Sequence, residues 1–242
     1  MRESIRISAL AVCLAACSSP AAESIGIADG FAGPDGLIAS EHHTATVGSP
    51  WVMTSGSLFR SDGDGWTGVP DAGGEPEDTG SAVFRMVSAD RSFGDVEVAL
   101  RLNVEELVTT SRTPARDYDG AHIWVRYRSP EELYAVSVDR RDATMVIKKK
   151  CAGGNVNGGT YHTLSPYVRD AAIPLGRWQQ VTVTVRDHRD GTVSIDANRD
   201  GITVSAVDTG TGCPPLTGGG GVGIRGDNAE LRFTDISVDE VR

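Results

Sequence analysis

From residue 29 onward, apolar and polar positions alternate with a period of two. In the segment 95–102, Val96, Val98, Leu100 and Leu102 fall on one side of an extended chain, with Glu97 and Arg101 on the other. Similar segments lie at 83–87, 123–127, 133–138, 144–147, 181–185, 193–196, 202–204, 222–224 and 231–238. Successive side chains of a strand point to opposite faces, so this alternation, rich in β-branched residues, predicts half-buried strands. Turn-forming groups separate them: Ser129-Pro130, Arg140-Arg141-Asp142, Asp190-Gly191 and Asp200-Gly201. No segment carries a three-turn helical period. The best candidate, Val104 to Thr110, lacks caps and is expected to be a connection with at most one helical turn. Many short strands joined by tight turns predict an all-β antiparallel sandwich or barrel.

The first residues break this pattern. Arg2 and Arg6 form a short positive region, and Ile5 through Ala16 is a small apolar run. Together they predict a cleavable secretory signal rather than part of the fold. The run closes on Leu14-Ala15-Ala16-Cys17. Those four residues resemble the lipobox of bacterial lipoproteins, which implies a signal over residues 1–17 and a lipidated Cys17 holding the protein at the extracytoplasmic membrane surface. A plain secretion signal is the other reading. Residues 18–28, rich in Ser, Ala and Pro, read as a tether. Neither a composition break nor a repeat follows, so residues 29–242 are expected to form one domain.

Charge narrows the partners. The 242 residues carry a formal net charge of −10. There is no basic surplus to neutralise phosphates, so a general nucleic-acid binder is excluded. Outside the signal, two cysteines remain, Cys151 and Cys213, each in a Gly- or Pro-rich stretch. In an exported protein they are expected to pair, with free thiols or a metal site near His162 as alternatives.

The closing third carries a family resemblance. Gly176-Arg177-Trp178-Gln179-Gln180-Val181, then Gly221-Val222-Gly223-Ile224-Arg225 and Phe233-Thr234-Asp235-Ile236, resemble the last strands of concanavalin A-like lectin/glucanase jelly rolls. That set includes laminin G-like and 3-keto-disaccharide hydrolase-like domains. Asp29-Gly30-Phe31 and Ser55-Gly56-Ser57-Leu58 resemble the opening strands. The resemblance implies a two-sheet jelly-roll sandwich whose concave groove takes a carbohydrate. It also implies a structural Ca²⁺ where the first and last strands meet, with Asp29 and Asp235 at the matching positions. Asp62-Gly63-Asp64-Gly65 resembles the start of an oxygen-rich Ca²⁺ loop but lacks the later ligands.

Candidate chemistry centres on residues 119–128. Strict alternation puts Ile123, Val125 and Tyr127 on one face and His122, Trp124, Arg126 and Arg128 on the other. Trp stacks on sugar rings, and Arg and His hydrogen-bond hydroxyls or carboxylates. Alternatively, Trp124 packs into the core with charges at its rim. In Lys148-Lys149-Lys150, alternation sends Lys148 and Lys150 one way and Lys149 the other. With the neighbouring arginines, Lys148 and Lys150 are expected at the edge of a basic groove suited to an anionic polysaccharide, or as solubilising edge lysines. Trp66, on a Gly-rich loop, is a further ligand-binding candidate. Trp51 and Trp178 read as structural, and His42-His43 as a surface pair. The loops at 61–80 and 104–118 are candidates for a binding rim.

No paired-carboxylate strand motif, nucleophile elbow, zinc motif or phosphate-binding loop is present. The expectation is therefore a lipid-anchored, polysaccharide-binding β-sandwich. Two alternatives stand beside it. One is a polysaccharide lyase or glycosidase with His122 or Tyr127 as base and Arg126 neutralising a carboxylate. The other is a protein-binding adhesion module.

Overall fold

A computed structural model describes residues 26–41, 49–71 and 81–241. Cys17 with its lipobox and the His42-His43 pair lie outside the described residues. Sixteen strands and no helix occur among those residues. In chain order they are β1 (Ile27–Asp29), β2 (Gly36–Ala39), β3 (Trp51–Ser55), β4 (Leu58–Ser61), β5 (Asp64–Trp66), β6 (Val83–Ser88), β7 (Val96–Leu107) and β8 (Gly120–Ser129). There follow β9 (Glu132–Ser137), β10 (Val146–Val156), β11 (Gly159–Thr163), β12 (Gln179–Asp187), β13 (Val193–Arg199), β14 (Ile202–Asp208), β15 (Gly221–Asp227) and β16 (Ala229–Glu240).

The strands form two antiparallel sheets. One has nine strands in the order β14-β13-β12-β7-β16-β5-β4-β2, with β1 pairing the far half of β16. The other has seven, in the order β11-β10-β9-β8-β15-β6-β3. Non-consecutive neighbours such as β7 and β16, or β8 and β15, give the crossovers of a jelly roll. The expected two-sheet sandwich is therefore the observed architecture.

The core lies between the sheets. Val98 of β7 pairs Val183 of β12, and Leu100 pairs Val181; all four face the seven-stranded sheet and are buried. Ala121, Ile123 and Val125 of β8 and Met86 of β6 meet them from the other side. Trp51 is buried there, its indole Nε1 donating to Asp29 Oδ2 at 2.8 Å, as a structural Trp should.

One expectation is overturned here. Val104 to Leu107 is not a connection with a helical turn but the end of β7. Leu231 of β16 pairs Val104 and Ala229 pairs Leu107. The partner strand supplies the hydrogen bonds that the local sequence did not advertise.

Polar struts also cross the interior. Lys149 reaches inward and donates to both oxygens of Asp208 at 2.9 and 2.7 Å, while Tyr134 donates to Asp208 Oδ2 at 2.7 Å. Arg199 pairs Asp139, with both side chains buried. Cys151 and Cys213 form a disulfide, with Cα atoms 6.0 Å apart. It ties the loop after β14 to β10. Closing a loop of 62 residues restricts the unfolded chain by about 4 kcal/mol in the chain-entropy account.

Candidate functional site

The outward face of the seven-stranded sheet and its end beside the 113–119 segment carry three adjoining depressions. The largest, about 230 Å³, has Tyr118, His122, Trp124, Arg140, Lys148 and Tyr161 among its lining residues. A second, about 180 Å³, shares Tyr118 and Asp227 with it. A third, about 60 Å³, shares Trp124, Tyr161 and Arg225 with it. Shared walls place the three depressions side by side.

Pairing across strands explains the central group. His122 of β8 faces Ser137 of β9 on one side and Arg225 of β15 on the other. Ser137 Oγ lies 2.8 Å from His122 Nδ1. Asp227 Oδ2 lies 3.1 Å from Nε2 without forming a directed hydrogen bond. Arg225 holds the same carboxylate through Nε and Nη2 at 2.6 and 2.7 Å. Burial opposes the charge on Asp227, but Arg225 more than offsets it and holds the carboxyl well below the usual carboxylate range. Burial lowers the pKa of His122; Asp227 pulls the other way, but its charge is already engaged by Arg225. The imidazole is therefore neutral near pH 7.

Trp124 stands two residues along, outward as expected, but as the floor of the groove rather than an open stacking surface. Its partners across the neighbouring strands are Ala135 and Gly223. Its ring is parallel to that of Tyr127, with centroids 5.4 Å apart, and only 3 % of the residue is exposed. With Val87, Leu133 and Ala135 the two aromatics form a small apolar cluster of their own, separate from the main core. Its Nε1 is buried without a hydrogen-bond partner.

Arg126 is a correction. It does not share a face with His122 and Trp124. Trp124 pairs Gly223 and Tyr127 pairs Gly221, so three steps along β8 match two along β15. The extra residue is a β-bulge, and Arg126 sits in it with φ at 51°. The bulge turns Arg126 inward, where its buried guanidinium pairs Asp95 and Asp187 at 2.8 and 3.0 Å. It also donates to the Phe93 and Gly218 carbonyls. Tyr127 takes the outward position instead.

The lysines follow the alternation. Lys148 lines the largest depression and Lys150 the smallest, while Lys149 is internal. Lys150 is itself largely enclosed, with Nζ donating to the Pro130 and Asn157 carbonyls at 2.5 and 3.3 Å.

Trp66 is a second correction. It belongs to β5 in the nine-stranded sheet, not to a loop over the groove. It packs on Phe59, with ring centroids 5.7 Å apart, and donates to Glu230 at 2.9 Å. The residues before it, Asp62 to Gly65, form the tight turn into β5 rather than a cation loop. The candidate metal ligands are also placed otherwise. Asp29 accepts from the Phe31 amide through Oδ1 and from Trp51 through Oδ2, both at 2.8 Å. Asp235 is mostly exposed and lies 3.9 Å from Arg101. Among the described residues, no three His, Cys, Asp or Glu converge. These residues do not fit a Ca²⁺ site.

Sequence reasoning missed Tyr118, Arg225, Asp227 and Arg85. Tyr118 is 46 % exposed and walls two of the depressions. It lies in the 104–118 segment that was expected to form a rim. Arg225 and Asp227 were visible only as alternate outward positions of β15, with nothing local to say what they face.

No protein-family model matches the chain, and no curated protein matches it in sequence. Solved structures do resemble it. An endo-acting O-glycanase of the human gut microbiota aligns with a TM-score of 0.53 at 10 % identity, covering 89 % of this chain and 99 % of that one. A candidate β-glucanase from Mycobacterium abscessus aligns at 0.51 and 15 %, covering 88 % and 99 %. The exoplasmic/lumenal domain of VIP36, in a Ca²⁺/Man3GlcNAc-bound form, aligns at 0.51 and 10 %, covering 85 % and 88 %. At such identities the likeness shows the fold alone, and that fold is the concanavalin A-like jelly roll.

Proposed function

We propose that the protein binds a polysaccharide along the outward groove of the seven-stranded sheet, and that it does so while lipid-anchored through Cys17 at a bacterial cell envelope. The observation that carries the binding reading is the adjacency of these depressions. Three depressions sharing aromatic and hydrogen-bonding walls suit a polymer with successive units better than a single small ligand. Tyr118 offers an exposed ring for stacking, Trp124 forms the floor, and His122, Arg140, Arg225 and Lys148 supply polar contacts. The glycan-acting and glycan-bound neighbours of the same fold support this reading without naming the sugar.

The test is a glycan array on the soluble domain, followed by titration of the best polymer. Tyr118→Ala should weaken binding by roughly tenfold with no change in Tm, because the ring is exposed. Trp124→Ala should lower both affinity and stability, since the indole is packed. Unchanged binding in both variants would reject the groove as the site.

One observation favours an enzyme on the same fold as a second reading. His122 is kept neutral between a hydroxyl and a carboxylate at the floor of the largest depression, which is the state a general base needs. Release of new chain ends from the bound polymer, abolished in His122→Gln, would establish it.

A further inference from the structure

The smallest depression has a charge problem that polymer binding alone does not explain. Arg85 of β6 and Arg225 of β15 are register partners, and both point outward. Two guanidinium groups thus stand directly opposite each other, an arrangement that destabilises a sheet. Lys150 of β10 lines the same depression, with Tyr161, Tyr127 and Thr54. The carboxylates nearby do not cancel the three cations. Of the three cations, Asp227 pairs only with Arg225, and its Oδ2 also lies 3.1 Å from His122 Nε2. Glu131, in the turn after β8, attracts Lys150 electrostatically but makes no direct ion pair with any of the three among the described residues. Arg85 has no ion-pair partner among those residues, and its Nε is buried without a hydrogen-bond acceptor. Lys150 donates only to two carbonyls, with the Tyr161 ring 5.4 Å away.

Desolvation compounds the cost. Burial, and then the charge of Arg225, lowers the pKa of Arg85. Burial, and then Arg225 and Arg85, lowers that of Lys150, with Glu131 offsetting only part of it. Clustered, partly desolvated cations persist when something negative completes them. The protein as a whole carries a net charge of −10, so a polyanion is not drawn to it by the overall field. Attraction must be local, within a Debye length of about 8 Å at physiological salt.

We propose that this depression is an anion subsite formed by Arg85, Arg225 and Lys150, which takes a sulfate ester or carboxylate carried by the polysaccharide in the groove. An oxyanion has the lone pairs that the orphaned Arg85 Nε–H and the remaining Lys150 proton lack as partners. Tyr161, whose hydroxyl accepts from Arg225 Nη1 at 3.3 Å, closes the wall. Trp124 and Tyr161 belong both to this depression and to the largest one, so the charged substituent sits beside a sugar resting in the latter. The polymer part of this inference rests on the proposed glycan binding; the anion part does not.

The experiment has two arms. In the first, inorganic sulfate is compared with chloride at equal ionic strength, reading Tm. Sulfate should raise the Tm of the native protein by more than that of Arg85→Gln or Lys150→Gln, whose rise is the general effect of an excluded salt. In chloride, Arg85→Gln should be at least as stable as the native protein, because it removes an unpaired cation. In the second arm, dextran sulfate is compared with dextran, and polygalacturonate with its methyl ester. At least one acidic chain should bind roughly tenfold more tightly than its neutral counterpart. Arg85→Gln should erase that preference. Which acidic chain wins separates sulfate from carboxylate. Equal stabilisation of native protein and Arg85→Gln by sulfate, or an acidic preference that survives in Arg85→Gln, overturns the subsite. An Arg85-dependent sulfate effect with no glycan bound upholds the subsite and rejects the glycan reading. Neutral glycan binding without that sulfate effect does the reverse.

Discussion

Arg126 shows how far one residue's role depends on one backbone angle. With φ at 51°, it leaves the groove and becomes a buried brace between Asp95, Asp187 and two carbonyls. Removing one partner of a buried pair strands the rest. Arg126→Ala should therefore cost on the order of 3 kcal/mol, read as a lower urea midpoint. The folded fraction should keep its glycan preference; a lost preference at unchanged stability would put Arg126 back in the site. His122 makes a second test at this scale. Its pKa in the folded state is lowered from 6.5 by burial. Above that value both states are neutral and its contribution is complete. As pH falls below about 6.5 the unfolded state takes up a proton that the native state resists, so stability declines with falling pH. Urea midpoints at pH 7.5 and 5.5 should differ for the native protein and differ less for His122→Gln.

At the scale of the element, β10 divides its three lysines by pleat alone. Lys149 lies between the sheets against Asp208, with neither side chain exposed. Lys148 faces the groove. The same substitution at adjacent positions should therefore have opposite profiles. Lys149→Met leaves Asp208 buried with Tyr134 and backbone amides but no cation, at a cost of about 3–5 kcal/mol. Lys148→Met should change stability by no more than about 0.5 kcal/mol. Chemical denaturation of the two variants checks this directly, and equal losses would mean the strand's faces are misassigned. β8 obeys the same alternation up to Val125 and then departs from it. The bulge places Trp124 and Tyr127 on one face, three residues apart, where a regular strand would have separated them.

For the whole molecule, the two sheets do different work. The nine-stranded sheet supplies most of the inward apolar face through β7, β12, β13 and β16, and its outward side holds no part of the groove. The seven-stranded sheet bears apolar side chains inward and the aromatic and cationic row outward. Our proposal that the protein is membrane-held concerns the segment before the sandwich. Cys17→Ser should leave the precursor unprocessed by the lipoprotein route and unlabelled by a palmitate analogue. Labelling that persists in the variant would show that Cys17 is not the anchor.

Much of this was legible in the chain itself. The period of two predicts strands, turn residues mark their ends, and many short strands imply a sandwich. The same period correctly turned His122 and Trp124 outward and split Lys149 from its neighbours, because pleating is a local property of the backbone. Only the tertiary structure decided the rest. It assigned Trp66 to the other sheet, turned Arg126 inward, extended β7 through Val104 and set Arg85 opposite Arg225. Each of these depends on register, on a bulge or on contact between distant strands, and such pairings join residues far apart in sequence that no local pattern can bring together.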